Sequence, residues 1–156
     1  MATLKLSIKE ELVLNGKDRG SENVISIAGV TQVFNRIVTC IASQDTTVAT
    51  FHHTGVYSSD GALFVTDSKY IRVTNLDAAN EVVLSLQIAA GEVSVASETA
   101  SIVLAAGQSF LMGTGHESIA VGSDTTVITD TDVHDLESII VDPKGNAVDI
   151  EVFIAS

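Results

Sequence analysis

The sequence predicts an all-β protein with one β-sandwich domain spanning residues 1–156. Valine, isoleucine and threonine account for 49 of 156 residues, and such β-branched side chains favour the pleated surface of a sheet. Short segments of alternating apolar and polar residues recur between turn signals, and helical periodicity is rare. The length suits a single core, and no linker divides the chain. Among sandwiches, a jelly-roll topology is favoured.

The segment 69–88 gives the clearest strand pattern. Ile71 and Val73 alternate with polar residues, and apolar residues alternate again from Val82 to Ile88. Between them, Asn75–Asn80 is rich in Asn and Asp, whose side chains bond to their own backbone in turns. The pattern predicts a β-hairpin in which each strand buries one face.

The C-terminal segment repeats this pattern. A strand over 137–141 is followed by the turn residues Asp142–Asn146 and a second strand over 147–154. The spacing again predicts a hairpin, and a terminal strand this apolar is expected to lie within a sheet. Further strands are predicted at 3–9, 11–14, 23–28, 33–42, 47–53, 62–66, 69–76, 82–88, 93–96, 101–105, 109–112, 118–122 and 126–129.

Three of these segments have alternatives. Ile8–Leu14 and Ser97–Ala106 contain good helix formers, although a strand is preferred in both. The strand from Val33 to Ala42 is apolar on both faces, with Phe34, Val38 and Cys40 on one and Val33, Ile37 and Ile41 on the other. Such a strand is either central in the fold or faces a partner subunit.

Charge and hydropathy point in different directions. The net charge of −12 repels phosphate and lipid surfaces, which argues against nucleic-acid or membrane binding. The mean hydropathy of +0.35 is high for a chain with 18% charged residues. Apolar surface covered by neighbouring subunits reconciles the two values, and a homo-oligomer is expected. A tightly packed monomer with Ala-rich and Thr-rich surfaces is the alternative.

The N-terminal segment is interpreted as a first strand and not as a signal peptide. Leu4, Leu6 and Ile8 alternate with polar residues, whereas a signal peptide needs a continuous apolar run. Cys40 is the single cysteine, so no intrachain disulfide can form, which suits assembly in a reducing cytoplasm. No apolar stretch approaches the roughly 20 residues of a membrane span, so a soluble chain is expected.

Metal-binding patterns are weak. Asp130–Asp135 resembles a calcium loop, but the sixth position is Asp135 instead of Gly and the twelfth is Val141 instead of Glu. A solvated acidic loop is preferred, with a weak calcium site as a minor hypothesis. His52 and His53 are adjacent and would point to opposite faces of a strand. Together with His116 and His134, which show no ligand spacing, they predict surface or hydrogen-bonded histidines and no metal site.

Catalytic and cofactor motifs fail in detail. Gly113-Thr114-Gly115 lacks the third glycine of a dinucleotide loop, since Ser118 stands there. Ser109 lacks the closing glycine of a nucleophile elbow. The sequence predicts no catalytic residue, no cofactor and no enzyme activity, although an enzyme of unrecognised type stays an alternative.

Carbohydrate binding is a further alternative. Sugar platforms usually present flat aromatic rings, and this chain has no Trp, two Tyr and five Phe. Tyr57 and Tyr70 are the reasonable candidates, because Phe34, Phe110 and Phe153 lie in apolar strand patterns.

The second half of the chain resembles small structural proteins of tailed bacteriophage virions, particularly those of marine phages. The resemblance covers residues 69 to 156. It lies in the order YIRVTNLDAANEVVLSLQI, SIVLAAGQSFLMG, ESIAVGSDTTVITD and NAVDIEVFIAS, a pattern of strands and turns.

This resemblance implies a virion component made in the host cytoplasm. A capsid decoration or cement protein on the exterior of the capsid is expected first, and a tail or head-fibre component that binds a host glycan second. The implied partners are further copies of the chain, with a trimer favoured, and the major capsid protein or another virion protein. The interface residues are not located by the resemblance; the Val33–Ala42 strand and the N-terminal arm are candidates.

Overall fold

The computed structural model describes residues 1–53, 62–88, 98–120 and 133–156. Its described residues form β-strands and one 3₁₀ turn at Val65–Asp67, and no helix among them is long and apolar enough to cross a membrane. The strands are β1 (Ala2–Glu10), β2 (Val13–Leu14), β3 (Lys17–Asp18), β4 (Ser21–Val30), β5 (Val33–Cys40), β6 (Thr46–His52), β7 (Leu63–Phe64), β8 (Tyr70–Asn75), β9 (Val82–Ile88), β10 (Glu98–Leu104), β11 (Ser109–Met112), β12 (Ile119–Ala120), β13 (Val133–His134), β14 (Leu136–Asp142) and β15 (Val148–Ala155).

Two large sheets form a jelly roll, as predicted. One sheet has the order β11-β8-β15-β5, and the other has β10-β9-β14-β6 with the short β7 added in parallel to β6. Numbered one to eight along the chain, the eight main strands give the orders 1-8-3-6 and 2-7-4-5. The chain thus passes repeatedly between the sheets, which is the jelly-roll arrangement of an antiparallel sandwich.

The core lies between the two sheets and is built from the inward residue of each alternating pair. In β15, Val148, Ile150, Val152 and Ile154 are buried, whereas Asp149 between them is exposed. In the opposite sheet, Val82, Leu84, Leu86 and Ile88 of β9 are buried in the same alternation. Each strand therefore contributes one apolar face to a shared core, which explains the period of two in the sequence.

The predicted hairpin over 69–88 is wrong in its pairing. β8 pairs with β11 and β15, whereas β9 pairs with β10 and β14 in the other sheet. The turn chemistry is present: the Asp77 carboxylate accepts hydrogen bonds from the backbone N–H groups of Ala79 and Asn80. The buried Asn75 amide donates to the carbonyl oxygens of Asn80, Leu104 and Ala105. These bonds hold a connection that crosses between sheets, because alternation marks a buried face but not a partner.

The C-terminal hairpin prediction fails in the same way. β14 pairs with β6 and β9, and β15 pairs with β5 and β8. The expectation that the last strand lies within a sheet is confirmed, since β15 is central and fully covered along its inner face.

The alternatives left by the sequence are decided for the described residues. Ile8–Glu10 continues β1 and Val13–Leu14 forms β2, while residues 98–104 form β10, so neither candidate helix forms. β5 is not central but lies at the edge of its sheet. The short strands β3 and β13 were not predicted, and the predicted strands at 93–96 and 126–129 lie outside the described residues.

Candidate assembly surface

Residues 1–30 form an extended hairpin, here called the arm. β1 and β4 pair antiparallel from Ala2 opposite Val30 to Glu10 opposite Ser21, and β2 and β3 continue to the tip. At the tip, Asn15 and Gly16 have φ angles of 53° and 73°. Asn-Gly is the preferred pair for a tight hairpin turn, which needs positive φ at both positions. This dipeptide is the sequence signal that could have predicted the arm's pairing.

The arm is amphipathic. Leu4 and Leu6 lie opposite Ile27 and Ile25 in the ladder, so these side chains share one face. Lys5, Ser7 and Lys9 alternate with them on the other face. Leu12 and Leu14 continue the apolar spacing towards the tip, where Leu14 lies opposite Lys17. We call the side that carries Leu4, Leu6, Ile8, Leu12, Leu14, Ile25 and Ile27 the apolar face of the arm.

The base of the arm is fixed to the jelly roll. Leu4, Leu6 and Ile27 pack against a small cluster formed by Val30, Tyr70 and Ala155, joined by Phe153. The backbone N–H groups of Thr31 and Gln32 both donate to the carbonyl oxygen of Ser156, at 2.7 and 2.9 Å. Packing and hydrogen bonds together set the direction in which the arm leaves the body.

The outer half of the arm is uncovered. Every residue from 7 to 25 is exposed apart from Gly20. On the apolar face, Ile8 and Ile25 are each 42% exposed, and Leu12 and Leu14 are each 54% exposed. An isolated two-stranded hairpin is only marginally stable in water, and the rest of the described chain does not cover this half.

A second uncovered apolar surface lies on β5. Val33 and Ile37 are exposed on the outer side of the sheet, 56% and 62%, and Ile41 follows with the same spacing at 61%. β15 is the single neighbour of β5 among the described strands, so the outer edge of β5 is unpaired there. Asp149 lies beside these residues and accepts a hydrogen bond from the Thr39 hydroxyl at 2.6 Å. Val33, Ile37 and Ile41 with Asp149 are called the β5 face.

A shallow depression borders the β5 face. It is lined by Thr39, Leu76, Asp77, Ala78 and Asp149 together with Ala147 and Val148. Leu76 is 45% exposed there. Backbone and side-chain hydrogen bonds from Ala79 and Asn80 hold the pKa of Asp77 below its ordinary range, so its carboxylate is charged at neutral pH. The depression thus extends the combination of apolar and acidic groups on this surface.

A polar network crosses the middle of the same outer surface. The Arg72 guanidinium contacts the Glu151 carboxylate at 2.8 Å and donates to the Thr74 hydroxyl at 2.7 Å. Thr74 in turn bonds to Ser109 at 2.8 Å. Arg72 also lies 5.8 Å from the centre of the Phe153 ring. Ser109 is therefore a member of a surface network, and this network separates the anchored base of the arm from the acidic part of the β5 face.

Two histidines meet at one carboxylate, which the sequence did not predict. The Asp135 carboxylate lies 3.1 Å from Nδ1 of His53 and 2.8 Å from Nδ1 of His116. It also accepts a hydrogen bond from the backbone N–H of Glu117. These residues are far apart in sequence, so only the folded topology brings them together. The arrangement fastens the loop that follows β11 to the ends of β6 and β14.

The remaining candidate ligands do not join this cluster. His52 packs against Phe64 with ring centres 6.3 Å apart, and His134 lies in β13. Asp130–Asp132 lie outside the described residues, and Val141, the twelfth position of the calcium pattern, is buried in the core. Within the described part of the chain, no three His, Cys, Asp or Glu side chains are grouped to hold a metal ion.

Two of the residues considered for sugar or cofactor binding, Tyr70 and Gly115, are closely packed in the fold. Tyr70 is only 6% exposed and packs edge-on against Phe153, so its ring is not an open platform. Tyr57 lies outside the described residues. At Gly115 an added Cβ would lie 3.1 Å from the Val65 side chain and 3.2 Å from Leu136. Glycine at this position allows close packing against these two side chains.

Comparison with known proteins gives one structural likeness. No protein-family model matches the chain, and no curated protein matches it. A solved structure of the disulfide-linked pili that form Bacillus endospore appendages matches at 14% identity with a TM-score of 0.39. The match covers 84% of this chain and 93% of that chain.

Replacing Asp135 is expected to destabilise the fold. Asp135→Ala removes the acceptor for His53, His116 and the Glu117 N–H together, and we expect a loss of roughly 1–3 kcal/mol in the free energy of unfolding. Urea denaturation measures the loss, with Asp45→Ala, which removes an exposed carboxylate, as the control. Equal stability of the two variants would show that the cluster contributes nothing to folding.

Proposed function

We propose that the chain is a non-enzymatic structural protein that works as an assembled homo-oligomer. The observation that carries the proposal is the pair of uncovered apolar surfaces, the outer half of the arm and the β5 face. Surfaces that expose several large apolar side chains together are stabilised by contact with another protein surface. The two surfaces belong to one chain, so self-association can cover both.

A bacteriophage virion is the assembly we propose, with the chain as a decoration or cement protein on the outside of the capsid. The basis is the order of strands and turns from residue 69 to the C-terminus. Bridging neighbouring capsomers would bury apolar area worth about 25 cal/mol per Å², which opposes the internal pressure of packaged DNA. The net charge of −12 suits a position away from that DNA. A glycan-binding fibre is less supported, since the ring of Tyr70 is buried.

The assembly we propose is non-covalent. The chain has a single cysteine, and Cys40 is fully buried against the core. Burial raises the pKa of the Cys40 thiol, with a hydrogen bond to Thr46 acting in the opposite direction. A buried, protonated thiol is a poor partner for disulfide exchange, so association would depend on apolar contacts.

Purified chain is expected to form a trimer in solution. The mass should be about 49 kDa, three times the 16.3 kDa of one chain, and reducing agent should not change it because Cys40 is buried. Light scattering after size-exclusion chromatography, with and without a reductant, measures both properties. A monomer at high concentration would contradict the proposed self-association.

The virion assignment is tested on purified phage particles whose genome encodes this chain. We expect the chain in stoichiometric amounts in the particles, and a reconstruction should place it on the outer capsid lattice. A chain that is absent from the particles, or confined to the tip of the tail, would refute the cement function. Particles that lack the chain should lose their DNA at lower temperature, since the capsomer bridges are missing.

A further inference from the structure

We propose that the arm of one copy lies across the β5 face of a second copy. This contact rests on the proposed self-association and names the surfaces that carry it. The free half of the arm would cover Val33, Ile37 and Ile41 of its neighbour with Ile8, Leu12, Leu14 and Ile25.

The arm does not cover the β5 face of its own chain, since the apolar residues of its free half and those of the β5 face are all exposed. Only Thr31 and Gln32 separate β4 from β5, and both are bonded to the carbonyl oxygen of Ser156. The base of the arm packs against the cluster around Tyr70 and Phe153. Rotating the arm away from this position would expose the cluster to water. In the free half of the arm, the eight residues 7–14 span about 27 Å, at about 3.4 Å per residue. Residues 7–25 are exposed apart from Gly20, so the described part of the body does not cover this length and leaves it available to another molecule.

Charge favours a second copy as the occupant. The arm holds four of the eight cationic residues, Lys5, Lys9, Lys17 and Arg19, balanced by four acids, so its net charge is zero. Residues 31–156 therefore carry the whole net charge of −12. Contact between two bodies brings like charges together, whereas contact between an arm and a body does not.

The chemistry of the two surfaces also matches in detail. Lys17 and Arg19 are exposed beside Leu12 and Leu14 at the arm tip. On the β5 face, Asp149 pairs with Thr39, which lies between Ile37 and Ile41 on the same side of the strand. Asp149 also lines the bordering depression together with Asp77 and Leu76. The arm tip therefore presents leucines with cations, and the receiving surface presents isoleucines with carboxylates.

Covering β5 also protects an edge strand. The outer edge of β5 has unpaired backbone groups among the described strands, and such an edge can pair with any extended chain. An arm placed over it limits that pairing to one partner. Because the donor and acceptor surfaces differ, each copy gives one arm and receives one, and three such contacts would form the trimer proposed above if the rotation between copies closes the ring.

The contact is tested by matched substitutions to serine, which leave the charge unchanged. Ile25→Ser alters the apolar face of the arm, and Val24→Ser alters the adjacent residue on the opposite face, which is 55% exposed against 42% for Ile25. Ile37→Ser alters the β5 face, and Val103→Ser alters an exposed position on edge strand β10 of the other sheet. Loss of one buried isoleucine should weaken self-association at least about tenfold. The two controls should stay within about threefold, as measured by sedimentation.

Crosslinking between copies tests the pairing itself. A tagged Leu14→Cys chain is mixed with an untagged Ile37→Cys chain and treated with a short bismaleimide, while the native Cys40 stays buried. We expect a crosslinked product containing one tagged and one untagged chain. The same experiment with Val103→Cys in place of Ile37→Cys should give little product. Equal crosslinking to both positions, or none to Ile37→Cys, would overturn the arm contact.

The outcomes separate this inference from the proposed function. If the chain forms oligomers and occurs in virions but Ile25→Ser and Ile37→Ser associate as tightly as their controls, the arm contact is wrong and the structural role stands. If the unaltered chain stays monomeric, both the arm contact and the proposed oligomer are refuted.

Discussion

The burial of β15 between two neighbouring strands and beneath the opposite sheet is the interaction on which the rest of the structure depends. Its inner residues from Val148 to Ile154 lie against the core, and its backbone pairs with both β5 and β8. The carbonyl of Ser156, directly after the strand, then fixes Thr31 and Gln32 at the root of the arm. One strand therefore organises the sheet, completes the core and sets the direction of the arm.

The arm alternates apolar and polar residues as the body does, but only part of its apolar face is buried. Leu4, Leu6 and Ile27 find a covering surface within the chain, while Ile8 and Ile25 do not. β5 is also covered on one side only: its inner face lies against the core, and its outer face is exposed to solvent. The proposed self-association rests on these two uncovered faces.

The sequence predicted the class of fold and most strands because alternation reports directly which residues are buried. It could not predict pairing, since Val82 and Leu84 show the same period whether β9 pairs with β8 or with a strand of the other sheet. The two apolar faces of the Val33–Ala42 segment were recognised, and their exposure could be known only from the edge position of β5. The topology of the fold brings His53 and His116 to Asp135. These residues are distant in sequence, so no local spacing could predict the contact.

Hydrogen exchange of the arm amides at two protein concentrations tests the central claim most directly. If another copy covers the arm, the amides of residues 7–25 should be protected at high concentration and exchange quickly after dilution, because the free hairpin is only marginally stable. The amides of β15 should stay protected at both concentrations. Arm amides that exchange at the same rate at both concentrations would contradict the account.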